Sequence, residues 1–459
     1  MIRERLTGFD WARFCSRAIA TLLILGFVFA LGLYSGGRRT WVFRASQATV
    51  AHITDAFVTL AGEASTLTGR RPKHFLQRKS YASGGVTVNH ASDTGLVFLS
   101  GFFDGSNELR LVQRDGTIVN RWPVVFSRLF PDVSHLSKPP ATDWNIDTHG
   151  ALALPDGSVV FNFDWGGLVK LDRCNNVVWT VRRQTHHSVE QAEGGGFWVP
   201  GRRTHAATDP SPFPPFSTPL DEDTILRISD DGRVLQEISV PRLFYDNGLT
   251  PVLTTHLRDL EGDGGTGELL HVNKIAELKR EVAPAFPDFA AGDLLLSDRA
   301  HNLLFVVDPR TQRIKWWQIG PWQRQHDPEF TDMGTFVVFD NNTYALRNDD
   351  DKLSKDAAAR SRIVEIDPRT RGTRIRYGAS ESEAFLSVIR GKVQWKNTGH
   401  LLITEFEGGR AFEVDRHGRT IWEYVNRYDE HYAAEISEAL FYPHGYFTVT
   451  EWACDSDAR

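Results

Sequence analysis

A repeated pair of hairpins constrains the fold of this chain more than any other feature. Six segments consist of a strand, an Asp-bearing turn and a second strand, and they begin at Leu109, Gly167, Ile225, Leu303, Arg362 and Arg410. Before each lies another hairpin with a small residue in its turn, at Gly95, Gly157, Gly195, Ala291 with Gly292, Gly334 and Gly399. Four strands per unit, in six units without a convincing long helix between them, predict an all-β, six-bladed β-propeller.

The repeats also set the predicted domain boundaries. We expect the propeller over residues 84–425 and a ring-closing segment over 426–459, in which Tyr446–Trp452 is the candidate strand. The approximate blades are 84–123, 148–184, 186–240, 271–320, 326–378 and 387–425. Closing the ring would remove exposed sheet edges.

The first forty residues carry a membrane signal. Residues 18–34 form an uncharged run of seventeen residues, near the lower end of the about 17–25 residues that cross a bilayer as a helix. Arginines are more frequent before the run than after it: Arg3, Arg5, Arg13 and Arg17 against Arg38 and Arg39. This bias predicts a single-pass inner-membrane anchor, a cytoplasmic N-terminus and a periplasmic propeller. A cleaved signal peptide is the alternative, but the run is longer than a usual signal core.

Residues 41–83 connect this anchor to the propeller. Apolar residues spaced through 41–70 suit an amphipathic helix or stalk, and the stretch that follows, through residue 83, is basic and loop-like. We expect a linker near the headgroups, and a partner of the helix in a membrane complex is a further possibility.

Bulk composition excludes several classes of function. The net charge is −6, with 52 basic and 58 acidic residues, which argues against a nucleic-acid partner. The sequence has no glycine-rich phosphate loop, no GxSxG elbow and no CxxC pair, so nucleotide hydrolysis, serine-esterase chemistry and thiol redox chemistry are disfavoured. Of three cysteines, Cys15 lies at the membrane edge, and Cys174 with Cys454 allows one disulfide.

Histidines occupy equivalent positions in the repeats. Counting eight residues back from the turn glycine gives His149, His187 and His326, and His271 opens the fourth unit, whereas the first and sixth units have Thr87 and Gly391. Innermost strands of a propeller run along its channel, so residues at their starts converge on one mouth. We therefore expect these four histidines to line a catalytic or ligand-binding cavity.

Polar neighbours complete the predicted site. The candidate substrate-binding residues are His186, Asn273, Gln325 and Asn341. A structural role in holding loops is the alternative for each of these side chains. A metal site is less favoured, because four positions spread around a ring match no short zinc motif. We predict no metal and no cofactor.

The later blades resemble the arylsulfotransferases of the bacterial periplasm. The resemblance is carried by the segments HVNKI at His271, LLLSDRAHNLLFVVDPRTQRIKWWQIG at Leu294, QHDPEF at Gln325, FDNN at Phe339 and SRIVEID at Ser361. It implies a six-bladed propeller that transfers a sulfuryl group from a phenolic sulfate ester to a phenol acceptor through a sulfated histidine, without a nucleotide cofactor. It also implies that His271 and His326 match active-site histidines and that Arg347 matches the active-site arginine.

One departure from the family leaves the nucleophile open. The family's covalent acceptor is a histidine late in the ring, where this chain has Gly391 and, beyond the next turn, His400. Either His149, His187 or His271 takes the role, or the chain is a non-catalytic propeller that binds an anionic ligand or serves as an accessory subunit of a membrane complex. Protonated histidines with an arginine would neutralise the sulfate. Tryptophans either hold the aryl group or pack between blades, with Trp144, Trp165, Trp198 and Trp322 as the candidates.

Overall fold

The computed structural model describes residues 11–38, 66–70, 72–136, 138–206, 208–255, 268–343 and 360–454. They belong to an N-terminal unit that ends at Arg71 and a main unit that begins at Pro72. In the N-terminal unit, helix α1 spans Trp11–Gly37, and its side chains over 19–32 are exposed. No helix in the described part of the chain combines the length and apolarity needed to span a bilayer. The anchor stays a prediction, and most of the predicted stalk, residues 41–65, lies outside the described residues.

The main unit is built from short strands. The strands are β1 Leu76–Arg78, β2 Gly85–Asn89, β3 Leu96–Phe103, β4 Ser106–Val112, β5 Ile118–Pro123, β6 Thr148–Ala153, β7 Val159–Phe163, β8 Gly167–Leu171, β9 Val177–Val181, β10 Gln184–Thr185, β11 Glu190–Gln191, β12 Phe197–His205, β13 Leu220–Ile228 and β14 Val234–Ser239. They continue as β15 Val272–Glu277, β16 Leu294–Asp298, β17 Leu303–Asp308, β18 Arg313–Ile319, β19 His326–Phe330, β20 Phe336–Asp340, β21 Arg362–Ile366, β22 Thr373–Tyr377, β23 Lys392–Trp395, β24 Leu401–Glu405, β25 Arg410–Val414, β26 Thr420–Val425, β27 Tyr432–Ala434 and β28 Ile436–Tyr442. Short helices lie between blades, α2 at Phe126–Leu129, α3 at Val240–Asp246 and α4 at Thr250–Leu253.

The described strands form six blades, which confirms the predicted all-β propeller. From the innermost strand outward, blade 1 is β28-β3-β4-β5 and blade 2 is β6-β7-β8-β9. Blade 3 runs from β10 and β11 through β12 and β13 to β14, blade 4 is β15-β16-β17-β18 and blade 5 is β19-β20-β21-β22. Blade 6 is β23-β24-β25-β26-β2, and β1 pairs separately with β27. All these pairings are antiparallel, as expected for hairpin-connected blades.

Both ends of the propeller segment close the ring. Strand β2 is the outermost strand of blade 6, and β28 is the innermost strand of blade 1. Thr87 therefore lies on the outside of the ring, where its hydroxyl donates to Glu423 at 2.7 Å. The first innermost strand was wrongly placed because this pairing joins residues far apart in sequence.

The segment Tyr446–Trp452 is not the closing strand, contrary to the prediction. An innermost strand is packed on both faces, and β28 supplies buried Ile436 and Ala439 for this purpose. Residues 446–452 instead lie across blades 1 and 2, where Trp452 packs edge-on against Trp122. A disulfide between Cys174 and Cys454 then joins the described end of the chain to blade 2.

Each blade–blade interface of the described ring has its own apolar cluster. Tryptophans on outer strands add a directional contact. The indole nitrogens of Trp122, Trp179, Trp316 and Trp422 donate to backbone carbonyls of Asp172, Asp230, Pro368 and Arg114, each at 2.8–2.9 Å. Each of these carbonyls lies in an Asp-bearing turn of the next blade. The tryptophans therefore connect the turn of one repeat with the strand of its neighbour.

Candidate functional site

Four predicted histidines meet near the starts of the innermost strands, at an end of the propeller that we call the mouth, and together they form the histidine cluster. His149 is the second residue of β6, His187 lies between β10 and β11, His271 directly precedes β15, and His326 begins β19. His187 is central, because its ring centroid lies 4.0 Å from that of His149, 4.8 Å from that of His271 and 6.0 Å from that of His326. All four side chains belong to buried residues. The equivalent positions inferred from the repeats are thus brought together in space.

Hydrogen-bond acceptors define the tautomers of three of these rings. Nδ1 of His149 lies 3.0 Å from Oδ1 of Asp164, and Nδ1 of His271 lies 2.8 Å from Oε1 of Glu268. Nδ1 of His326 lies 2.8 Å from Oδ1 of Asn341. Each oxygen is an acceptor, so Nδ1 carries the proton and Nε2 keeps the lone pair.

The same logic extends to His187 and His186. Nε2 of His187 lies 3.2 Å from Nε2 of His271 and donates to it, since the latter holds a lone pair. Nδ1 of His187 then accepts from Nδ1 of His186 at 2.6 Å. After these assignments, Nε2 of His149 and Nε2 of His186 are buried without a hydrogen-bond partner among the described atoms.

Trp165 is enclosed on both faces. Its ring stacks on His186 at a centroid distance of 3.7 Å. The Arg202 guanidinium lies 3.6 Å from the Trp165 ring centroid on a cation–π contact. Trp165 therefore holds His186 and Arg202 in place instead of offering a free face to an aryl group. Trp198 and Trp322 are buried in blade interfaces.

Burial keeps the histidines neutral. It lowers the pKa of His149 to about 4, with nearby Arg390 adding to the effect. Burial likewise lowers the pKa of His271, and it holds the pKa values of His186, His187 and His326 well below the usual range. The expectation that protonated histidines neutralise a sulfate is therefore not supported. The cationic groups near these rings include Arg390, Arg202 and Lys392.

The position left vacant at Gly391 is explained by its neighbours. A Cβ atom on Gly391 would lie 2.5 Å from ring atoms of Phe339, and its φ of +90° also disfavours a side chain. Arg390 directly precedes it, and its guanidinium pairs with Oδ2 of Asp147 and, at 2.9 Å, with Oδ2 of Asp164. Asp164 thus bridges Arg390 and His149. Counting residues from the turn glycine missed Arg390 by one position, because the count ends on Gly391.

Blade 1 contributes a carboxyl group at the corresponding place. Glu435 directly precedes β28 and is 4% exposed. Together with Arg390 and the histidine cluster it completes a set of six side chains, one from each blade. We call this set the mouth ring: Glu435, His149, His187, His271, His326 and Arg390.

A profile of the arylsulfotransferase (ASST) family matches residues 150–427. The chain belongs to the arylsulfotransferase family. The match confirms the resemblance found in the sequence and contains four members of the mouth ring. His149 and Glu435 lie just outside the matched range.

Solved structures resemble this arylsulfotransferase-family chain more distantly. A protein of unknown function from Bacteroides caccae is 13% identical with a TM-score of 0.45, and the match covers 76% of this chain and 98% of that chain. Virginiamycin B lyase from Staphylococcus aureus is 13% identical with a TM-score of 0.38, covering 76% of this chain and 87% of that chain. None of the curated proteins compared matches the chain.

The predicted substrate-binding residues of this arylsulfotransferase-family protein are buried supports of the ring. The Asn341 amide nitrogen donates to backbone oxygens of Ser387 and Arg390, both at 2.9 Å. The amide nitrogen of Asn273 donates to the backbone oxygen of Gln325 at 2.7 Å, and the Gln325 amide donates to Ser297 Oγ at 3.0 Å. Substrate contacts by these three residues and by His186 stay predictions. Arg347, within 344–359, lies outside the described residues.

Three groups of the ring region have spacing compatible with a metal ion. Ligand atoms of His149, Asp164 and His187 lie within 4.8 Å of one another. Asp164 is already paired with the Arg390 guanidinium, which lowers its pKa, and Nδ1 of His149 donates to it. A metal at this place would have to displace both contacts.

A second set of channel residues, the charged layer, lies deeper along the same strands. It consists of Lys274, Asp327, Glu329, Lys392 and Glu438. The Lys274 ammonium lies 2.9 Å from Asp327 Oδ1, and the Lys392 ammonium lies 3.3 Å from Glu438 Oε2. Beyond it, a cavity of about 330 Å³ is lined by Lys274, Glu329 and Glu438 together with residues of blades 1–4.

Proposed function

We propose that the mouth ring transfers a sulfuryl group from a phenolic sulfate ester to a phenol acceptor, with His149 as the covalent nucleophile. Family membership supports the reaction class. The observation that carries the choice of His149 is its Nε2 atom, which is buried and unpartnered among the described atoms, while Nδ1 is held by Asp164. A neutral imidazole in this state is a competent nucleophile.

The chemistry uses two half-reactions. His149 Nε2 attacks the sulfur, the bond between sulfur and the aryl oxygen breaks, and its electron pair leaves on the phenolate oxygen. In the second half-reaction the acceptor oxygen attacks the sulfur and the lone pair returns to Nε2. The positive charge of the sulfated imidazole is stabilised by Asp164, as in other histidines oriented by a carboxylate.

His187 and His271, the other two candidates from the sequence, are less suited to this role. The Nε2 atoms of His187 and His271 share one hydrogen bond at 3.2 Å, so attack by either would require that bond to break. Nδ1 of His187 is also occupied, by His186. These contacts favour His149 among the alternatives left open by the sequence.

We place this reaction outside the cytoplasm, with residues 18–34 as the anchor. The Cys174–Cys454 disulfide supports this placement, because such bonds persist in oxidising compartments. Reaction of the purified propeller with iodoacetamide before and after reduction would check that the bond forms.

The deciding experiment is intact-mass analysis after incubation with 4-nitrophenyl sulfate. We expect an added mass of one SO₃ group, mapped to the peptide that contains His149, and its loss in His149→Ala. His400→Ala is the control, because His400 pairs with Glu413 at 3.0 Å and lies outside the mouth ring. An adduct on another residue would remove His149 as nucleophile. No adduct with any phenolic donor would overturn the proposed reaction.

A second candidate function is supported by the burial of the site. The exposed fraction of the four cluster histidines is only 1–8%, which also suits a hydrogen-bonded core. In that case the protein is a non-catalytic propeller that binds an anionic ligand or an accessory partner in a membrane complex. It would then co-purify with a partner from membranes, and His149→Ala would leave that association intact.

A further inference from the structure

The proposed sulfuryl transfer lacks an acid in the histidine cluster. Cleavage of the bond between sulfur and oxygen leaves an electron pair on the phenolate oxygen, and a weakly acidic phenol leaves slowly unless it gains a proton. The low pKa values keep the cluster histidines neutral, and their ring protons are engaged by Asp164, Glu268, Asn341 and neighbouring histidines. The proton must therefore come from another group at the same mouth.

Glu435 is held rigidly at that mouth. Its backbone nitrogen donates to the Phe75 oxygen at 3.0 Å, and its backbone oxygen accepts from the Phe102 nitrogen at 3.2 Å. The side chain is buried, and Oε1 has no hydrogen-bond partner among the described atoms. One carboxyl oxygen of Glu435 is thus unengaged within the ring that holds His149.

The groups around Glu435 shift its pKa and the pKa of Asp147 in opposite directions. Arg390 pairs with Asp147, and His74 lies 3.5 Å from Asp147, so the pKa of Asp147 is held well below its usual range. Burial and the Asp147 charge raise the pKa of Glu435 well above its usual value, and nearby Asp164 adds to this, while Arg390 opposes it. Such a pair of carboxyls with separated pKa values is a recurrent acid–base arrangement in enzymes.

We propose that Glu435 is the general acid and base of sulfuryl transfer. The inference rests on the proposed function and deepens it. In the first half-reaction the Glu435 carboxyl gives its proton to the departing phenolate oxygen. In the second, the Glu435 carboxylate takes the proton of the acceptor phenol as its oxygen attacks sulfur, so the enzyme returns to its starting state.

Three other carboxyls with raised pKa values are less well placed. Glu329 and Glu438 have pKa values raised to about 8 and about 7 by burial, but they belong to the charged layer and the cavity beyond it. Asp223 lies on the third strand of blade 3, where Oδ2 accepts from the Val272 nitrogen. Among these carboxyls, only Glu435 belongs to the mouth ring.

The test compares two donors in Glu435→Gln, which keeps the size and neutral charge of the protonated side chain. With phenyl sulfate, a poor leaving group, we expect kcat/KM to fall on the order of 10²–10⁴-fold. With 4-nitrophenyl sulfate, whose phenolate leaves without a proton, the loss should be below about tenfold. Glu438→Gln is the matched control, at a buried carboxyl on β28 close to Glu435 in the chain, and should treat both donors alike. An equal loss with both donors, or no loss, would overturn the assignment.

A second variant keeps the test decisive if Glu435→Gln does not fold. Asp147→Asn removes the negative charge that raises the pKa of Glu435, so the loss of phenyl sulfate turnover on the basic side should begin at lower pH. An unmoved pH profile would exclude Glu435. Formation of the sulfated intermediate from 4-nitrophenyl sulfate is recorded in parallel. Its absence in the unmodified protein would reject the proposed function itself, a result separate from failure of the Glu435 assignment.

Discussion

The mouth ring and the charged layer come from the same innermost strands but differ in how their polar groups are paired. In the charged layer, Lys274 and Lys392 both approach Asp327, at 2.9 Å and 3.6 Å, so the opposite charges are paired. In the mouth ring, Nε2 of His149 and Oε1 of Glu435 are buried without partners among the described atoms. Unsatisfied buried groups are costly, and these two belong to side chains that the proposed reaction uses.

Bulges lie near the starts of four innermost strands. The pairing register shifts between Thr148 and Ala151, between Val272 and Lys274, between His326 and Glu329, and between Ile436 and Glu438. A bulge changes the direction of a side chain at the end of a strand, and the mouth-ring residues of these strands lie at or beside such positions. Under the proposed function, the ring carries the chemistry and the layer stabilises the fold.

The largest expected effect comes from Arg390→Ala. It leaves the buried carboxylates of Asp147 and Asp164 without their cation, which costs about 3–5 kcal/mol in the free energy of unfolding. It also releases the orientation of His149, so sulfation from 4-nitrophenyl sulfate should fall by about 10²-fold or more. Urea unfolding and the rate of adduct formation measure the two effects. Arg390→Lys, which keeps one charge, should recover part of the stability; a fully active Arg390→Ala would contradict the proposed ring.

Lys274→Met should separate stability from chemistry. Removing this cation breaks a buried pair with Asp327 and should lower the free energy of unfolding by about 3–5 kcal/mol. Adduct formation per folded molecule should stay unchanged, because Lys274 lies below the ring. Lys73→Met, at an exposed lysine, serves as the control and should alter stability by less than about 0.5 kcal/mol. A loss of sulfation in folded Lys274→Met protein would contradict this prediction and show that the charged layer also contributes to the reaction.

A smaller effect is expected from acid. His149 has a folded-state pKa lowered from 6.5 to about 4, so the unfolded chain binds its proton first as the pH falls. Its contribution to stability is present above about pH 6.5 and is lost as the pH falls through about 4, on the order of 3 kcal/mol. The melting temperature of His149→Asn should therefore fall less steeply over this window than that of the unmodified protein. If the melting temperatures of the two proteins fell in parallel with pH, a group other than His149 would be responsible for the loss of stability in acid.

The sequence predicted those features that repeat locally. Strand and turn spacing predicted six blades, since each hairpin is encoded within one short segment, and the eight-residue count located three histidines of the cluster. Closure could not be counted in this way, because β28 and β2 pair with distant strands. Glu435 was missed for the same reason.

Arg390 was missed because of a tertiary contact that the sequence does not show. The Phe339 ring occupies the space of any side chain at Gly391, so the functional group comes from the residue before it. The tautomers depend equally on spatial neighbours, since Asp164 and Glu268 lie at 15 and 3 residues from their histidines. No periodicity in the sequence marks those partners.

Closure by β28 also relates the proposed activity to the completion of synthesis. A ribosome that stopped before Glu435 would release a polypeptide with the cluster histidines and Arg390 but without the carboxyl group proposed to move the proton. The innermost strand of blade 1 would be missing from the same product, and β3 would have an open edge. An incomplete chain would thus lack the proposed proton carrier and would also expose a strand edge, which a protease or chaperone can recognise.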